Sequence, residues 1–308
     1  MIRIYCTFLV FFSMLLYPQL HAVQPEAKVP SVLVSIRPLQ SLAAGVMKGV
    51  GEPDLLMQVQ QSPHTFFLRP SDIERIHKAD LFVWVGPELE FFLDSLQKSM
   101  QHQLQIIRIE GMQLLPLNST DHPHGHHHQS TTDPHLWLNP QNAKKFVIGF
   151  AEVLSRLDPN HVELYTANAT VLAEKLDVLD AELKTALRPY QKQPFFVFHD
   201  SLQYFAKHYQ LEGWHIITAN PGQPLTVGQL SDNIENIKNL GVQCLFQEPQ
   251  FDQSSIKTLA KHTGICVRTL DPLEAPQAST DQAYFAVMRN LAKTLITCFK
   301  QQPRTSPR

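Results

Sequence analysis

The chain has 308 residues, of which 26 are Lys or Arg and 28 are Asp or Glu, so its formal charge is −2. The lack of a basic excess argues against a nucleic-acid-binding protein, and a hydrophobic content of 44% argues against wholesale disorder. The sequence contains 15 histidines against only 12 glycines, and it has no GxGxxG or GxxxxGK motif that would indicate a nucleotide-binding loop.

The first residues have the layout of a signal peptide. Arg3 provides a positive charge, the stretch Ile4–Tyr17 is almost wholly apolar, and Ala22 is a small residue at the expected cleavage site. The apolar stretch is shorter than the roughly 20 residues that are needed to span a bilayer, which argues against a membrane anchor. We therefore expect residues 1–22 to be removed, and the mature protein to be soluble and periplasmic.

Short apolar runs alternate with helical patterns in two halves of the chain. In the first half, strands are predicted at Val32–Ile36, Leu55–Val59, Leu81–Val85 and Gln105–Ile109, and helices near 39–50, 71–78 and 89–101. In the second half, strands are predicted at Phe195–Phe198, Trp214–Thr218, Gln243–Gln247 and Ile265–Leu270, and helices near 201–209, 228–240, 254–263 and 281–299. Runs that are apolar rather than alternating are typical of parallel strands covered on both faces. The pattern predicts an α/β protein of two lobes, each with a mainly parallel four-stranded sheet flanked by helices.

Two helix starts can be placed more exactly. Ser71 and Glu74 have the spacing of a capping box, which predicts a helix start there. Between the two halves, Asp158 and Pro159 mark the start of a long helix. Its apolar face contains Leu172, Leu176, Leu179, Leu183 and Leu187.

This long helix divides the predicted chain into three parts. No Gly or Pro interrupts it from residue 160 to 188, so it would be roughly 40 Å long. We expect it to join and brace the two lobes, the alternative being an ordinary helix within one lobe. The resulting division is an N-terminal lobe at 23–157, a linking helix at 158–188 and a C-terminal lobe at 189–308.

Residues 117–134 form a polar, turn-rich segment without periodicity, as expected for a loop. It contains five closely spaced histidines: His122, His124, His126, His127 and His128. Imidazole binds borderline metals such as Zn²⁺ well, so we interpret the segment as an accessory metal-capturing loop. The alternative is a solvated polar tract. A flexible loop cannot by itself form a preorganised, tight site.

Four other residues are better placed to form such a site. His64 follows the second predicted strand, His199 directly follows the fifth, Asp271 directly follows the eighth, and His135 lies at the end of the His-rich loop. Ligands of α/β proteins bind beyond the carboxyl ends of the strands, and three His with one carboxylate can complete a tetrahedral zinc shell. Each residue alone is more often structural, so the prediction rests on their joint pattern.

Glu248 and the cysteines complete the candidate residues. Glu248 follows the seventh predicted strand, and it either orients a ligand imidazole or is a surface carboxylate. Cys244, Cys266 and Cys298 remain in the mature chain, so an oxidising compartment permits one disulfide and leaves one thiol. The residues alone allow all three pairings.

The sequence resembles the metal-binding receptors of ABC importers for zinc and manganese, and most closely their periplasmic zinc branch. The resemblance runs from about Val32 to Cys298. Its motifs are SPHTFFLRPSD at 62–72, ADLFVWVGPELE at 79–90, DPHLWLNP at 133–140, FHDSLQYFAKHYQL at 198–211, FQEPQF at 246–251 and TLDPLE at 269–274. It implies two α/β lobes joined by a rigid helix, with the metal site in the cleft between them.

The resemblance also implies roles for single residues. It makes His64, His135 and His199 ligands, with Asp271 or water in the fourth position. In some relatives a Glu before the first motif His is the fourth ligand, but Pro63 stands there in this chain. It further implies a disulfide between Cys244 and Cys298, and the additional Cys266 departs from the family pattern.

These inferences combine into one expected function. We expect a monomeric, non-catalytic receptor that captures Zn²⁺ and delivers it to the permease and ATPase of an ABC zinc importer. Protons compete with metal for the His nitrogens, so affinity should weaken as the pH falls. The alternatives are a manganese or iron receptor of the same family, a periplasmic zinc buffer, and a secreted zinc hydrolase with Glu248 as its base.

Overall fold

The structure is a computed structural model that describes residues 28–117, 132–218 and 220–301. The predicted signal peptide and the five histidines of the His-rich loop lie outside these residues. Within the described ranges, none of the helices combines the length and the apolar character that crossing a bilayer requires.

The N-terminal half contains one four-stranded sheet, and all its strand pairs are parallel. The strands follow the order β2-β1-β3-β4 and comprise β1 (Val32–Val34), β2 (Asp54–Leu55), β3 (Leu81–Trp84) and β4 (Gln103–Gln105). The helices of this half are α1 (Arg37–Val46), α2 (Pro70–Lys78) and α3 (Pro140–Leu157). The central strands β1 and β3 are buried throughout, as expected for strands that helices cover on both faces.

The long helix between the halves is present as α4 (Val162–Leu187). A single 3₁₀ turn at Pro159–His161 precedes it, and Asp158 accepts a hydrogen bond of 2.9 Å from the Tyr165 hydroxyl on its first turn. All five leucines of the predicted apolar face are buried. With 26 residues, α4 is about 39 Å long.

The C-terminal half repeats the topology of the first. Its parallel strands follow the order β6-β5-β7-β8 and comprise β5 (Phe195–Val197), β6 (Trp214–Ile216), β7 (Cys244–Gln247) and β8 (Cys266–Thr269). Its helices are α5 (Gln203–His208), α6 (Val227–Leu240), α7 (Ser254–Thr263) and α8 (Ala283–Phe299). The predicted α/β fold with two parallel four-stranded sheets is confirmed.

Helix α4 contacts both halves through a buried carboxylate. Asp180 is 4% exposed. It accepts a hydrogen bond of 3.0 Å from Gln141 of α3 and lies 2.7 Å from Nε2 of His208 on α5. One side chain of α4 therefore connects a helix of each half, as the bracing interpretation expects.

The apolar core is shared by the two halves. Its largest cluster is continuous from β1 and β3 through α4 to β5 and α8, and its members include Val34, Val83, Leu179, Phe195 and Leu295. Two smaller clusters contain residues of only one sheet each, together with the neighbouring helices. The halves are therefore packed on one another through α4.

The structure corrects the predicted start of α2. The helix begins at Pro70, with Arg69 in the N-cap position, because Pro is favoured at the first helical position. The carboxylate that accepts the Arg69 backbone N–H, at 3.0 Å, belongs to Asp72. Glu74 instead pairs with Lys78 at 2.6 Å, so the proposed Ser71–Glu74 capping box is wrong.

Three other segments differ from the prediction. The 18-residue helix α3 was not predicted. Strand β4 ends where the predicted strand begins, because Ile106 and Ile107 turn into the core as part of a short 3₁₀ helix. The helix predicted near 89–101 is a 3₁₀ helix at Phe91–Ser99.

The cysteines pair as the resemblance implied. Cys244 and Cys298 form a disulfide that joins β7 to α8. Cys266 is a free, half-buried thiol, and it lies on β8 in register with Cys244.

Candidate metal centre

Three of the predicted ligands come together between the halves. His64 lies in the connection from β2 to α2, His199 follows the end of β5, and His135 precedes a 3₁₀ turn at Leu136–Leu138. One nitrogen of each histidine lies within 4.8 Å of the other two. The three ring centroids form a nearly equilateral triangle with sides of 5.3, 5.1 and 5.3 Å.

One pair of these nitrogens has the spacing expected of two ligands on a tetrahedral cation. The Nε2 atoms of His64 and His135 are 3.2 Å apart, whereas two imidazole nitrogens on tetrahedral zinc would be about 3.3 Å apart. Nε2 of His199 is buried and has no hydrogen-bond partner among the described residues. A buried nitrogen without a partner is costly, and a cation at the centre of the triangle would remove that cost.

Asp133 fixes the orientation of His135. Its Oδ1 accepts a hydrogen bond of 2.9 Å from the His135 backbone N–H and lies 2.8 Å from Nδ1 of the ring. With the proton held on Nδ1, the lone pair of Nε2 points to the centre of the triangle. Asp133 is 1% exposed, and the sequence patterns did not predict its role. The only available signal was its position two residues before a predicted ligand.

Glu248 lies in close contact with the ring of His199. Its Oε1 lies 2.6 Å from Nδ1 of His199 and also accepts a hydrogen bond of 3.0 Å from the Ser201 hydroxyl. Glu248 is buried at 7% exposure, so it is not the surface carboxylate of the alternative interpretation. Two buried carboxylates therefore lie behind two of the three imidazoles.

His64 is positioned by Ser62 and by the other two histidines. Its backbone N–H donates to the Ser62 hydroxyl at 3.2 Å, and its ring faces those of His135 and His199. Burial, followed by the proximity of His199 and His135, lowers the pKa of His64 well below its usual value of 6.5. The ring is therefore neutral at neutral pH, which is the form that binds metal.

Asp271 lies beyond β8, close to the site but outside the group of three. Its Oδ1 accepts hydrogen bonds from the Gln250 side chain at 2.9 Å and from the backbone N–H groups of Leu273 and Glu274, each at 3.0 Å. Burial raises the pKa of its carboxyl group. In the described ranges, the group of ligand atoms within 4.8 Å of one another contains the three histidines alone. Asp271 as the fourth ligand stays a prediction, with water as the alternative.

The segment that carries His135 is bonded to the C-terminal half. The Trp137 indole N–H donates to the backbone oxygen of Pro272 at 3.1 Å. On the N-terminal side of His135, the Tyr204 hydroxyl donates to the backbone oxygen of Asp133 at 3.1 Å. These bonds cross between the halves on both sides of His135, and thereby hold its imidazole close to that of His199.

The site offers three imidazole nitrogens, and buried carboxylates lie behind two of the rings. Imidazoles suit Zn²⁺, whereas carboxylate and water oxygens suit Mn²⁺ better. Oε1 of Glu248 is engaged by both His199 and Ser201.

Two α/β halves packed on one long helix, with a histidine centre between them, define a two-lobed metal-receptor class. The comparison with protein families places the chain within this class. The model of the family "ZnuA: Zinc-uptake complex component A periplasmic" matches residues 32–298, and the chain belongs to this family.

Individual relatives agree with this assignment. The chain is 33% identical over 306 residues to the high-affinity zinc uptake system protein ZnuA of Brucella suis, covering 88% of this chain and 92% of that protein. It is 31% identical over 290 residues to the protein of the same name from Yersinia pestis, covering 88% and 91%.

Solved structures share the fold. A zinc-bound ZnuA deletion mutant superposes with a TM-score of 0.75 at 25% identity, covering 90% of this chain and 100% of that one. The AdcAII protein of Streptococcus pneumoniae superposes with a TM-score of 0.73 at 27% identity, covering 87% and 100%.

Proposed function

We propose that this protein captures Zn²⁺ with His64, His135 and His199 as its ligands. The observation that carries the proposal is the convergence of three imidazole nitrogens within 4.8 Å. Two of these imidazoles are aligned by the buried carboxylates Asp133 and Glu248. Asp271 or a water molecule would complete a four-coordinate shell.

The captured ion is delivered to a membrane permease driven by an ATPase, and the protein acts as a monomeric, periplasmic receptor after removal of residues 1–22. Family membership and the names of the relatives support this role. The engagement of Glu248 by His199 and Ser201 supports binding without catalysis. The His-rich loop at 117–134 would raise the local zinc concentration.

A competition titration of the mature protein with zinc and manganese tests the site. We expect one tight zinc site in the wild-type protein. His64→Ala, His135→Ala and His199→Ala should each weaken zinc binding by on the order of 100-fold or more, because a ligand contributes more than its supporting partner. His77→Ala is the matched control, since His77 is exposed on α2. Unchanged zinc affinity in all three ligand variants would refute the site.

Two further measurements separate the receptor from its alternatives. Cells that lack the protein should grow poorly when zinc is scarce, and expression of the wild-type chain should restore zinc uptake. A periplasmic buffer would bind zinc without restoring uptake. Turnover of ester, peptide or phosphate substrates by the zinc-loaded protein would instead identify a hydrolase.

A further inference from the structure

The metal centre has an aromatic wall on the side of the C-terminal half. Phe251 lies in the loop that follows β7. Its ring centroid is 5.2 Å from that of His199, at an interplanar angle of 82°, and 6.4 Å from that of His64. Phe251 is 8% exposed and also packs on Phe198 at 5.9 Å. A single phenyl ring therefore contacts two of the three ligand imidazoles.

A cavity adjoins this ring. It has a volume of about 250 Å³, and its lining includes Phe251, Phe198, Gln250, Thr65 and Ser255, together with the loop Pro221–Pro224. None of the three ligand histidines lines it. A cavity of this size has room for several water molecules. Phe251 therefore contributes both to the lining of this cavity and to the wall of the histidine centre.

The described surroundings of the centre supply few protein oxygens as additional ligands, since no carboxylate joins the three histidines within 4.8 Å. Trp137 is 1% exposed and packs on His135 with the ring centroids 5.3 Å apart. Oδ1 of Asp271 already accepts three hydrogen bonds. An octahedral ion bound by three imidazoles would need three more ligands, which in this site would have to be water molecules. An apolar ring cannot hydrogen-bond such waters, so admitting them beside it is unfavourable.

We propose that Phe251 is a specificity-determining residue that excludes water molecules beyond a fourth ligand from the centre, limits the bound ion to four ligands and so favours zinc over manganese. Zinc is satisfied by four tetrahedral ligands, whereas manganese prefers an octahedral shell rich in oxygen. The apolar surroundings of a metal site control its access to solvent. This inference rests on the proposed zinc-capturing function and adds the origin of its selectivity.

The loop of Phe251 also connects this wall to the other parts of the site. Glu248, which lies against His199, is three residues before Phe251, and the Phe251 backbone N–H donates to the Glu248 backbone oxygen at 3.4 Å. Gln250 donates to Asp271. The same short turn thus contacts one ligand, restrains the predicted fourth ligand and excludes additional water molecules.

The test compares the mature wild-type protein with Phe251→Leu, Phe251→Val and Phe251→Ala. Cobalt(II) replaces zinc as a probe, because its visible absorption is intense in four-coordinate and weak in six-coordinate complexes. Zinc and manganese affinities are measured by competition titration on the same samples. The matched control is Phe67→Ala, since Phe67 lies in the same loop as His64 but is 85% exposed.

We expect a four-coordinate cobalt spectrum in the wild-type and control proteins. The spectrum should weaken progressively as the side chain at position 251 becomes smaller. The ratio of zinc to manganese affinity should fall by on the order of tenfold in Phe251→Ala. Thermal unfolding of the metal-free proteins will show whether each variant folds. If the alanine variant does not fold, the leucine and valine variants test the same trend.

Two results would overturn the proposal. One is that all folded variants keep the cobalt spectrum of the wild-type protein and its ratio of zinc to manganese affinity. The other is an equal loss of zinc and manganese affinity with a four-coordinate spectrum, which would make Phe251 a packing residue only. A wild-type protein that binds no zinc would instead refute the proposed function, and this inference with it.

Discussion

The substitution Glu248→Gln tests how far a buried carboxylate contributes to metal binding through an imidazole. Oε1 of Glu248 lies 2.6 Å from Nδ1 of His199, which places the carboxylate about 7 Å from an ion bound at Nε2. At an effective dielectric constant of about 20, a single negative charge attracts a dication at that distance by about 5 kcal/mol. Glutamine removes this charge but keeps a polar oxygen close to Nδ1, so part of the orienting effect remains.

Desolvation of the buried charge and relaxation of the surrounding groups offset much of this attraction. We therefore expect Glu248→Gln to weaken zinc binding by about 10- to 100-fold, as is typical for a group that supports a metal ligand, which corresponds to roughly 1.4 to 2.8 kcal/mol. The assay is a competition titration against a chromophoric zinc chelator at neutral pH. The matched control is Glu182→Gln, which removes the same charge from a half-exposed pair with Arg289. An affinity of Glu248→Gln within about twofold of the wild-type value would refute the argument, because it would leave the carboxylate without influence on the ion.

Three further predictions concern stability and the loop. Trp137→Phe leaves the buried backbone oxygen of Pro272 without its donor, and should lower the free energy of unfolding in urea by at least about 1 kcal/mol; an unchanged value would contradict this. Burial raises the pKa of Glu90 to about 7, so its contribution to the free energy of unfolding should fall by about 3 kcal/mol as the pH rises from about 4.5 to above 7. Glu90→Gln should remove this component, and equal pH dependence in both metal-free proteins would refute it. Deleting residues 121–128 should leave one tight zinc site in a stoichiometric titration; its loss would show that the loop forms part of that site.

Local patterns in the sequence predicted most of the secondary structure. The apolar runs around Val34, Val83 and Phe196 mark strands because helices cover both faces of each sheet. The regular leucines of α4 predicted its buried face. The start of α3 is also marked in the sequence. Asn139 caps the first turn, since its Oδ1 accepts a hydrogen bond of 2.9 Å from the Gln141 backbone N–H, and Pro140 occupies the first helical position.

Contacts between distant residues were beyond the reach of such patterns. The position of His199 at the end of a strand predicted that it would face the crevice. The hydrogen bond from Trp137 to Pro272 joins residues that are 135 positions apart, and no local sequence pattern predicts such a bond. From the sequence, Phe251 is likewise indistinguishable from an ordinary core phenylalanine. Only the structure shows that its ring packs on two of the histidines.

The apolar core runs without interruption from β1 through α4 to α8. The two halves should therefore unfold together. Separating the halves would expose apolar surface at about 25 cal/mol per Å², so neither half retains a complete core when expressed alone. Calorimetry should therefore record a single cooperative transition for the whole metal-free chain. For an ion leaving the centre, the same coupling makes displacement of the loops around His64 less costly than wide opening of the two halves.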